Sequence, residues 1–352
     1  MASKRNRRVV VTQYGDPDVL QVVTSETPEP AWGEVRIRVE ATGLAFADIL
    51  MREGLYPGTP SVPFAPGYDV VGVVDQRGEG VADWQPGDRV AALTVFGGYA
   101  DYLTWPAADL VPVPDGLSAG EAVSLVLNGT TADQMLHRVA SVQPGGRILV
   151  HGAAGGVGTL MLQLARLDDI TVYGTASTPK HDLIRELDAT PIDYRSQDFV
   201  ERVHKLTNGE GVDAAFDPIG GANWRRSYRT LKRGGHLVTY GLSAALQARG
   251  RQRRLAMLTS MARLGWLKLL PDARRVSFYS ITGLKAKHPA WFRDDLQNLF
   301  QLCGTGRIAP VIGESLPLER AGSGHDLLEN ARVSGKIVLQ GLESASDDPS
   351  ER

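Results

Sequence analysis

From residue 147 to 241 short apolar runs alternate with amphipathic stretches of helical length, and this rhythm constrains the fold more than any other feature. Strands are expected at 147–151, 170–175, 191–194, 212–217 and 236–241, with helices at 157–167, 180–187, 198–206 and 223–231 between them. Strands joined by helices of this length run parallel, because a right-handed crossover returns the chain to the same end of the sheet and covers both faces. The expectation is α/β, a doubly wound parallel sheet. The rhythm begins near residue 120, where Ser118-Ala-Gly-Glu121 leads into helical periodicity through Val139.

The first third has a different texture. Apolar runs at 8–12, 33–41, 70–76, 89–92 and 99–104 are separated by turn clusters such as Tyr14-Gly-Asp-Pro and Gln85-Pro-Gly-Asp. Many short strands with frequent turns suggest a barrel-like β domain. Beyond 243–275, residues 276–281 are expected to supply the last strand of the parallel sheet. A helix near 290–303 and a final strand at 336–340 complete the pattern. At 352 residues, two domains are the better expectation.

Composition narrows the function classes. Apolar residues at 43% and charged residues at 22% provide an ordinary core. A net charge of −2 disfavours nucleic acid as a partner. The single cysteine, Cys303, excludes an intramolecular disulfide and any multi-cysteine metal site, which suits a reducing cytoplasm. The basic start, Met1-Ala-Ser-Lys-Arg-Asn-Arg-Arg, is followed by no apolar segment of signal-peptide kind, and no run is long enough to cross a bilayer. The polar tail from Ser344 is expected to be disordered.

The strand-to-helix turn Arg147-Ile-Leu-Val-His-Gly-Ala-Ala-Gly-Gly-Val-Gly158 is suited to a phosphate, which needs close backbone approach and free amides at a helix N-terminus. Ala153 stands where the G-x-G-x-x-G motif has its first glycine, so a glycine-rich turn without a nucleotide is the alternative. The next strand ends in Gly174-Thr-Ala-Ser177, with no acid to bind ribose hydroxyls. Lys180, Tyr194 and Arg195 are in reach instead, favouring a 2′-phosphate and therefore NADPH over NADH. Alternatively, Lys180 is a solvated helix residue.

Taken together, Gly43-Leu-Ala-Phe-Ala-Asp48, Arg52-Glu-Gly-Leu-Tyr-Pro57, Pro63-Phe-Ala-Pro-Gly-Tyr-Asp-Val-Val-Gly-Val-Val74, Gln85-Pro-Gly-Asp-Arg-Val90, Asn128-Gly-Thr-Thr-Ala132, the 151–158 turn, Ile192-Asp-Tyr-Arg195, Asp217-Pro-Ile-Gly-Gly221 and Gly335-Lys-Ile-Val-Leu339 resemble the medium-chain dehydrogenase/reductases. Within that group the chain is similar to the zinc-free quinone oxidoreductases (zeta-crystallin-like) and the vesicle amine transport protein-like branch. The resemblance implies a GroES-like β-barrel catalytic domain from 1–126 and 284–352. It also implies a Rossmann NADPH-binding domain at 127–283, with an insertion at 243–275. The positions of the catalytic zinc ligands are Ala45 and Tyr68, with Asp69 after them, so no metal site is expected.

By the same resemblance, Thr131 lies near the nicotinamide, and Ala154, Gly155, Gly156 and Val157 lie at the pyrophosphate. Ser177, Lys180 and Tyr194 surround the 2′-phosphate, and Tyr240, Gly241 and Leu242 border the nicotinamide half. Tyr56 and Asp48 occupy active-cleft positions, Tyr56 as a hydrogen-bond donor. The alternatives are a packing role for Tyr56 and a helix cap for Asp48, with the helix starting near Ile49. Many quinone oxidoreductases have Asn at the position of Ala45, so a larger apolar acceptor than a simple quinone is expected.

The 243–275 segment carries eight basic residues and one acid, Asp272, interleaved with bulky apolar groups. The apolar groups stand at mixed helical spacing, and the segment reads as a helical lid over the substrate, a peripheral membrane surface, or a structural or dimer element. An edge strand at 276–281 would pair with its copy in a homodimer. Three functions stay open: a quinone or enone/enal reductase; an enoyl-thioester or secondary-metabolite tailoring reductase; and an NADPH-binding membrane-surface or lipid-handling protein.

Overall fold

The computed structural model describes residues 5–244 and 251–341. The tail from Ser344 and residues 245–250 of the basic segment lie outside the described residues. The chain divides into two compact units, one drawn from Met1–Asn128 and Leu296–Arg352, the other from Gly129–Asp295.

In the second unit six strands form one parallel sheet. Their order is Thr190–Asp193, Thr171–Ala176, Arg147–His151, Val212–Asp217, Leu231–Thr239, Arg275–Phe278. The chain starts at the third of these, builds to one side, then jumps back and builds to the other. The switch point therefore lies between Arg147–His151 and Val212–Asp217, where open α/β sheets bind ligands at the carboxyl ends of their strands. Ile148, Leu149 and Val150 are all fully buried, as residues covered on both faces must be. Leu231–Thr239 begins five residues earlier than the sequence suggested. Val212 pairs with Leu231 and Ala214 with His236, so residues 232–235 bulge out through Gly234 at φ +78.

The basic segment contains the helix Arg251–Lys268. Leu264 and Leu267 bury one face against Trp224, Tyr228 and Leu242, which makes it a packing element of this unit. Leu255, Leu258, Trp266 and Leu269 are exposed. Residues 119–140 form helical turns of two widths. Ser118 caps Ala119–Ser124 reciprocally with Glu121, and π turns at Leu125–Gly129 and Gln134–Ala140 flank the α turn Thr130–Asp133.

The first unit is built on a seven-stranded sheet. Glu34–Leu44, the longest strand, pairs with Val70–Arg77, Tyr102–Pro106 and Lys336–Gln340. Several of its elements escaped the pattern reading or are shifted from it. Leu20–Glu26 is largely exposed and shows no alternation. Ile312–Pro317 is an edge strand that tolerates Gly and Pro. The helix Ala321–Glu329 carries two glycines that lower its propensity, yet a Cβ on Gly324 would meet Leu44 at 2.8 Å. The helix Phe46–Arg52 starts three residues before the expected Ile49.

Candidate active site

The glycine turn sits at the switch point, between the strand Arg147–His151 and the helix Gly156–Leu167. Gly155 is the N-cap and supplies no side-chain cap, leaving the first-turn amides for a ligand. A Cβ on Gly158 would lie 2.5 Å from the Gly152 carbonyl oxygen and 2.6 Å from that of Ala153, so only glycine lets this helix seat against the strand. Ala153, the departure from the motif, is compensated next door. Its methyl packs where a Cβ on Gly174 would come within 2.7 Å.

The second switch-point turn is organised by Asp217, which is fully buried. Its carboxylate accepts from the Ile219 and Gly220 amides (2.8 and 3.2 Å), from Asn223 Nδ2 (2.8 Å) and from Ser227 Oγ (2.6 Å). His151 joins Ser227 to Thr175 through its two ring nitrogens, both at 2.9 Å, and burial lowers its pKa. The strand ends on both sides of the switch point are thereby tied together. Tyr240 donates its amide to the Asp217 carbonyl, and burial pushes its phenol pKa up. Gly241 is held against Pro218, and Leu242 is buried beside Gly220. Thr131 is buried in the short α turn and hydrogen-bonds Tyr279, whose hydroxyl also donates to Gln134 at 2.8 Å.

At the end of the next strand, Ser177 precedes a 3₁₀ turn ending at Lys180, which is half-buried. Burial and the Arg195 charge both lower the Lys180 pKa, so an anion bound here would relieve repulsion between two cations. Tyr194 is exposed beside them, with the Arg195 guanidinium 5.8 Å from its ring centre. The nearest carboxylate on the adjoining strand, Asp193, is already engaged by Thr178 Oγ1, Ser196 Oγ and the Arg195 amide. These residues fit a phosphorylated dinucleotide.

In the first unit, Asp48 lies at the third position of Phe46–Arg52 rather than before it, so it caps this helix from within the first turn and not from the expected N-cap position. It accepts from the Ala45 amide at the helix start (2.8 Å), from Gly67 N (3.0 Å) and from the Tyr99 hydroxyl (3.4 Å). Fully buried, its carboxyl is pushed up to about 7, mainly by desolvation. Behind it, Asp69 pairs with Lys336 at 3.1 Å, both buried. Tyr56 is half-buried, and its hydroxyl lies 2.6 Å from that of Tyr68. Sequence reasoning used Tyr68 only to argue against a metal. It missed this contact because the two tyrosines are twelve residues apart and meet only through the fold. Among the described residues, no group of three or more His, Cys, Asp or Glu could hold a metal ion.

Two family models match the chain: an alcohol dehydrogenase GroES-like domain at 31–115 and a zinc-binding dehydrogenase at 187–339. The rat synaptic vesicle membrane protein VAT-1 homolog is 36% identical over 95% of this chain and 83% of its own length. A probable quinone oxidoreductase of Schizosaccharomyces pombe is 33% identical over 97% and 99%. Among solved structures, Escherichia coli quinone oxidoreductase complexed with NADPH superposes with a TM-score of 0.84 at 28% identity, covering 95% of this chain and 99% of that one. With two such domains matched and these relatives spanning nearly its whole length, the chain belongs to the medium-chain dehydrogenase/reductase family of oxidoreductases, in the branch that holds the VAT-1 homologues and the quinone oxidoreductases.

Proposed function

We propose that the protein is an NADPH-dependent reductase that passes hydride to a bulky, apolar conjugated carbonyl, either a quinone or an α,β-unsaturated ketone or aldehyde, without zinc. The observation that carries this reading is Lys180 beside Arg195 at the strand end where an NADH enzyme places a carboxylate, next to a free-amide helix N-terminus. The NADPH bound by the quinone oxidoreductase neighbour supports it. NADPH supplies the hydride when bound. Ala154 to Val157 hold its pyrophosphate; Ser177, Lys180 and Tyr194 hold the 2′-phosphate; Thr131, Tyr240, Gly241 and Leu242 border the nicotinamide. Reduction of a conjugated carbonyl spreads negative charge by resonance, so a hydrogen bond from Tyr56 suffices where an alkoxide would call for a metal. Asp48 serves by holding the Ala45 and Gly67 amides, and its charge adds to the burial that opposes ionisation of Tyr56.

We place the enzyme in the cytoplasm as a homodimer joined at Arg275–Phe278, the edge strand of the parallel sheet. NADPH oxidation screened against 1,4-benzoquinone, 9,10-phenanthrenequinone, 2-alkenals and enoyl thioesters tests the function. Turnover of the quinone or alkenals is expected; preference for thioesters would move the assignment to an enoyl-thioester reductase. A second reading follows from the exposed Leu255, Leu258, Trp266 and Leu269, which suit a membrane surface. No turnover with any acceptor, together with liposome binding lost on deleting 249–270, would replace the reductase by that reading. Lys180→Ala should weaken NADPH binding by about 1.5–3 kcal/mol, the worth of a charge-assisted hydrogen bond, and leave NADH unchanged. Equal affinities for the two dinucleotides in both proteins would refute the 2′-phosphate assignment.

A further inference from the structure

The loops that present Tyr56 also fix a second phenol against it. Tyr68 is 4% exposed, and its ring meets that of Tyr56 edge-on at 5.9 Å. Its backbone is gripped from both sides. The Gly67 amide donates to Asp48, while the amides of Thr94 and Val95 both donate to the Tyr68 carbonyl at 2.9 and 3.0 Å. Gly67 sits at φ +112 with a would-be Cβ 2.5 Å from Tyr99 N, so no side chain fits there. Val95 is β-branched yet held at φ +64, a conformation that surrounding structure must enforce. The strained turn delivers Phe96 edge-on against Tyr56 at 6.3 Å and against Phe64 at 6.1 Å. Stored strain, a buried phenol and an apolar wall converge on one hydroxyl.

We propose that Tyr68 is the positioning partner of Tyr56 in proton donation, the two hydroxyls acting as one acid. The inference rests on the reductase reading and deepens it. Hydride addition to the β-carbon of an enone shifts the C=C pair toward the carbonyl oxygen and leaves an enolate. Tyr56 gives its proton to that enolate, and the O–H electron pair stays on the phenol oxygen. Two electrons and two hydrogens have then been added, and water later restores the Tyr56 proton. The phenolate has no proton to offer, so at 2.6 Å the contact can have only one orientation, with Tyr68 donating. Of the groups acting on Tyr56, burial and the Asp48 charge oppose its ionisation, while Tyr68 favours it.

The test compares wild type, Tyr56→Phe, Tyr68→Phe and the double variant; phenylalanine keeps both rings in place. In protein carrying fluorotyrosine, the ¹⁹F resonance lost in Tyr56→Phe identifies Tyr56. Its ionisation midpoint should rise by a pH unit or more in Tyr68→Phe. With 9,10-phenanthrenequinone or a 2-alkenal, Tyr56→Phe should lower kcat roughly 100-fold, the lower end for a positioned acid. Tyr68→Phe should lower it about tenfold with KM nearly unchanged, and the double variant should be no slower than Tyr56→Phe alone. An unmoved Tyr56 midpoint, or unchanged kcat in Tyr68→Phe while wild type turns over, overturns this pairing and leaves the reductase standing. No turnover by wild type would remove both.

Discussion

Replacing Lys336 by methionine is expected to destabilise the first unit by about 3–5 kcal/mol, the cost of leaving one member of a buried ion pair without the other. Lys336 Nζ lies 3.1 Å from Asp69 Oδ2, and the two side chains are 2% and 0% exposed. The pair is enclosed tightly, because a Cβ on Gly43 would collide with both side chains. Without the ammonium, Asp69 keeps only the backbone amides of Gly43 and Leu127. The Lys336 charge also draws down the buried Asp48 carboxyl, so its removal affects two acids. Burial already raises the Asp69 pKa against the pull of Lys336, and the variant raises it further. A carboxyl whose pKa is higher folded than unfolded binds more protons in the native state, so stability falls as pH rises between those two values. The deficit should therefore shrink on acidification from pH 7 toward 5. Urea unfolding at both values reads this. Asp69→Asn combined with Lys336→Met should recover most of the loss, whereas a single-variant cost under about 1 kcal/mol would show that the pair carries no such burden.

Gly158→Ala should cost NADPH binding more than 100-fold, although it adds a single methyl group. That methyl would lie 2.5 and 2.6 Å from two backbone carbonyl oxygens, and backbone cannot swing aside as a side-chain tip can. The helix Gly156–Leu167 must move off the strand, carrying with it the first-turn amides that we propose hold the pyrophosphate. Gly155→Ala is the control. Its Cβ would meet only the Gly152 oxygen, at 3.2 Å, and the Gly155 backbone (φ −84, ψ 175) is open to alanine. A loss below tenfold is expected there. Quenching of intrinsic fluorescence by NADPH measures both, and equal losses in the two variants would contradict the packing argument.

Much of this was legible along the chain, for a local reason. The parallel sheet announced itself because strands covered on both faces become apolar runs, and the helices between them keep their own period. Arg147–His151, Val212–Asp217, Arg89–Ala92 and Lys336–Gln340 fall where the pattern put them. The glycine turn was equally readable, since an amide-lined turn demands glycine at fixed spacing. Elements whose stability comes from neighbours did not announce themselves. The exposed strand Leu20–Glu26 exists by pairing with Arg5–Val11, and the glycine-bearing helix Ala321–Glu329 by fitting against Leu44.

The basic segment shows the same division. The spacing of its apolar groups suggested a helix but not which of them would pack. Leu264 and Leu267 turned inward, whereas Leu255 and Leu269 did not. The sequence by itself determined the glycine turn at the switch point, because strand, turn and helix are contiguous and a helix N-terminus offers its amides within a dozen residues. Only the tertiary structure decided what surrounds the Tyr56 hydroxyl. Tyr68 lies twelve residues beyond Tyr56, and the Val95–Phe96 turn a further 27 along, and a hydroxyl pair at 2.6 Å is a product of their convergence.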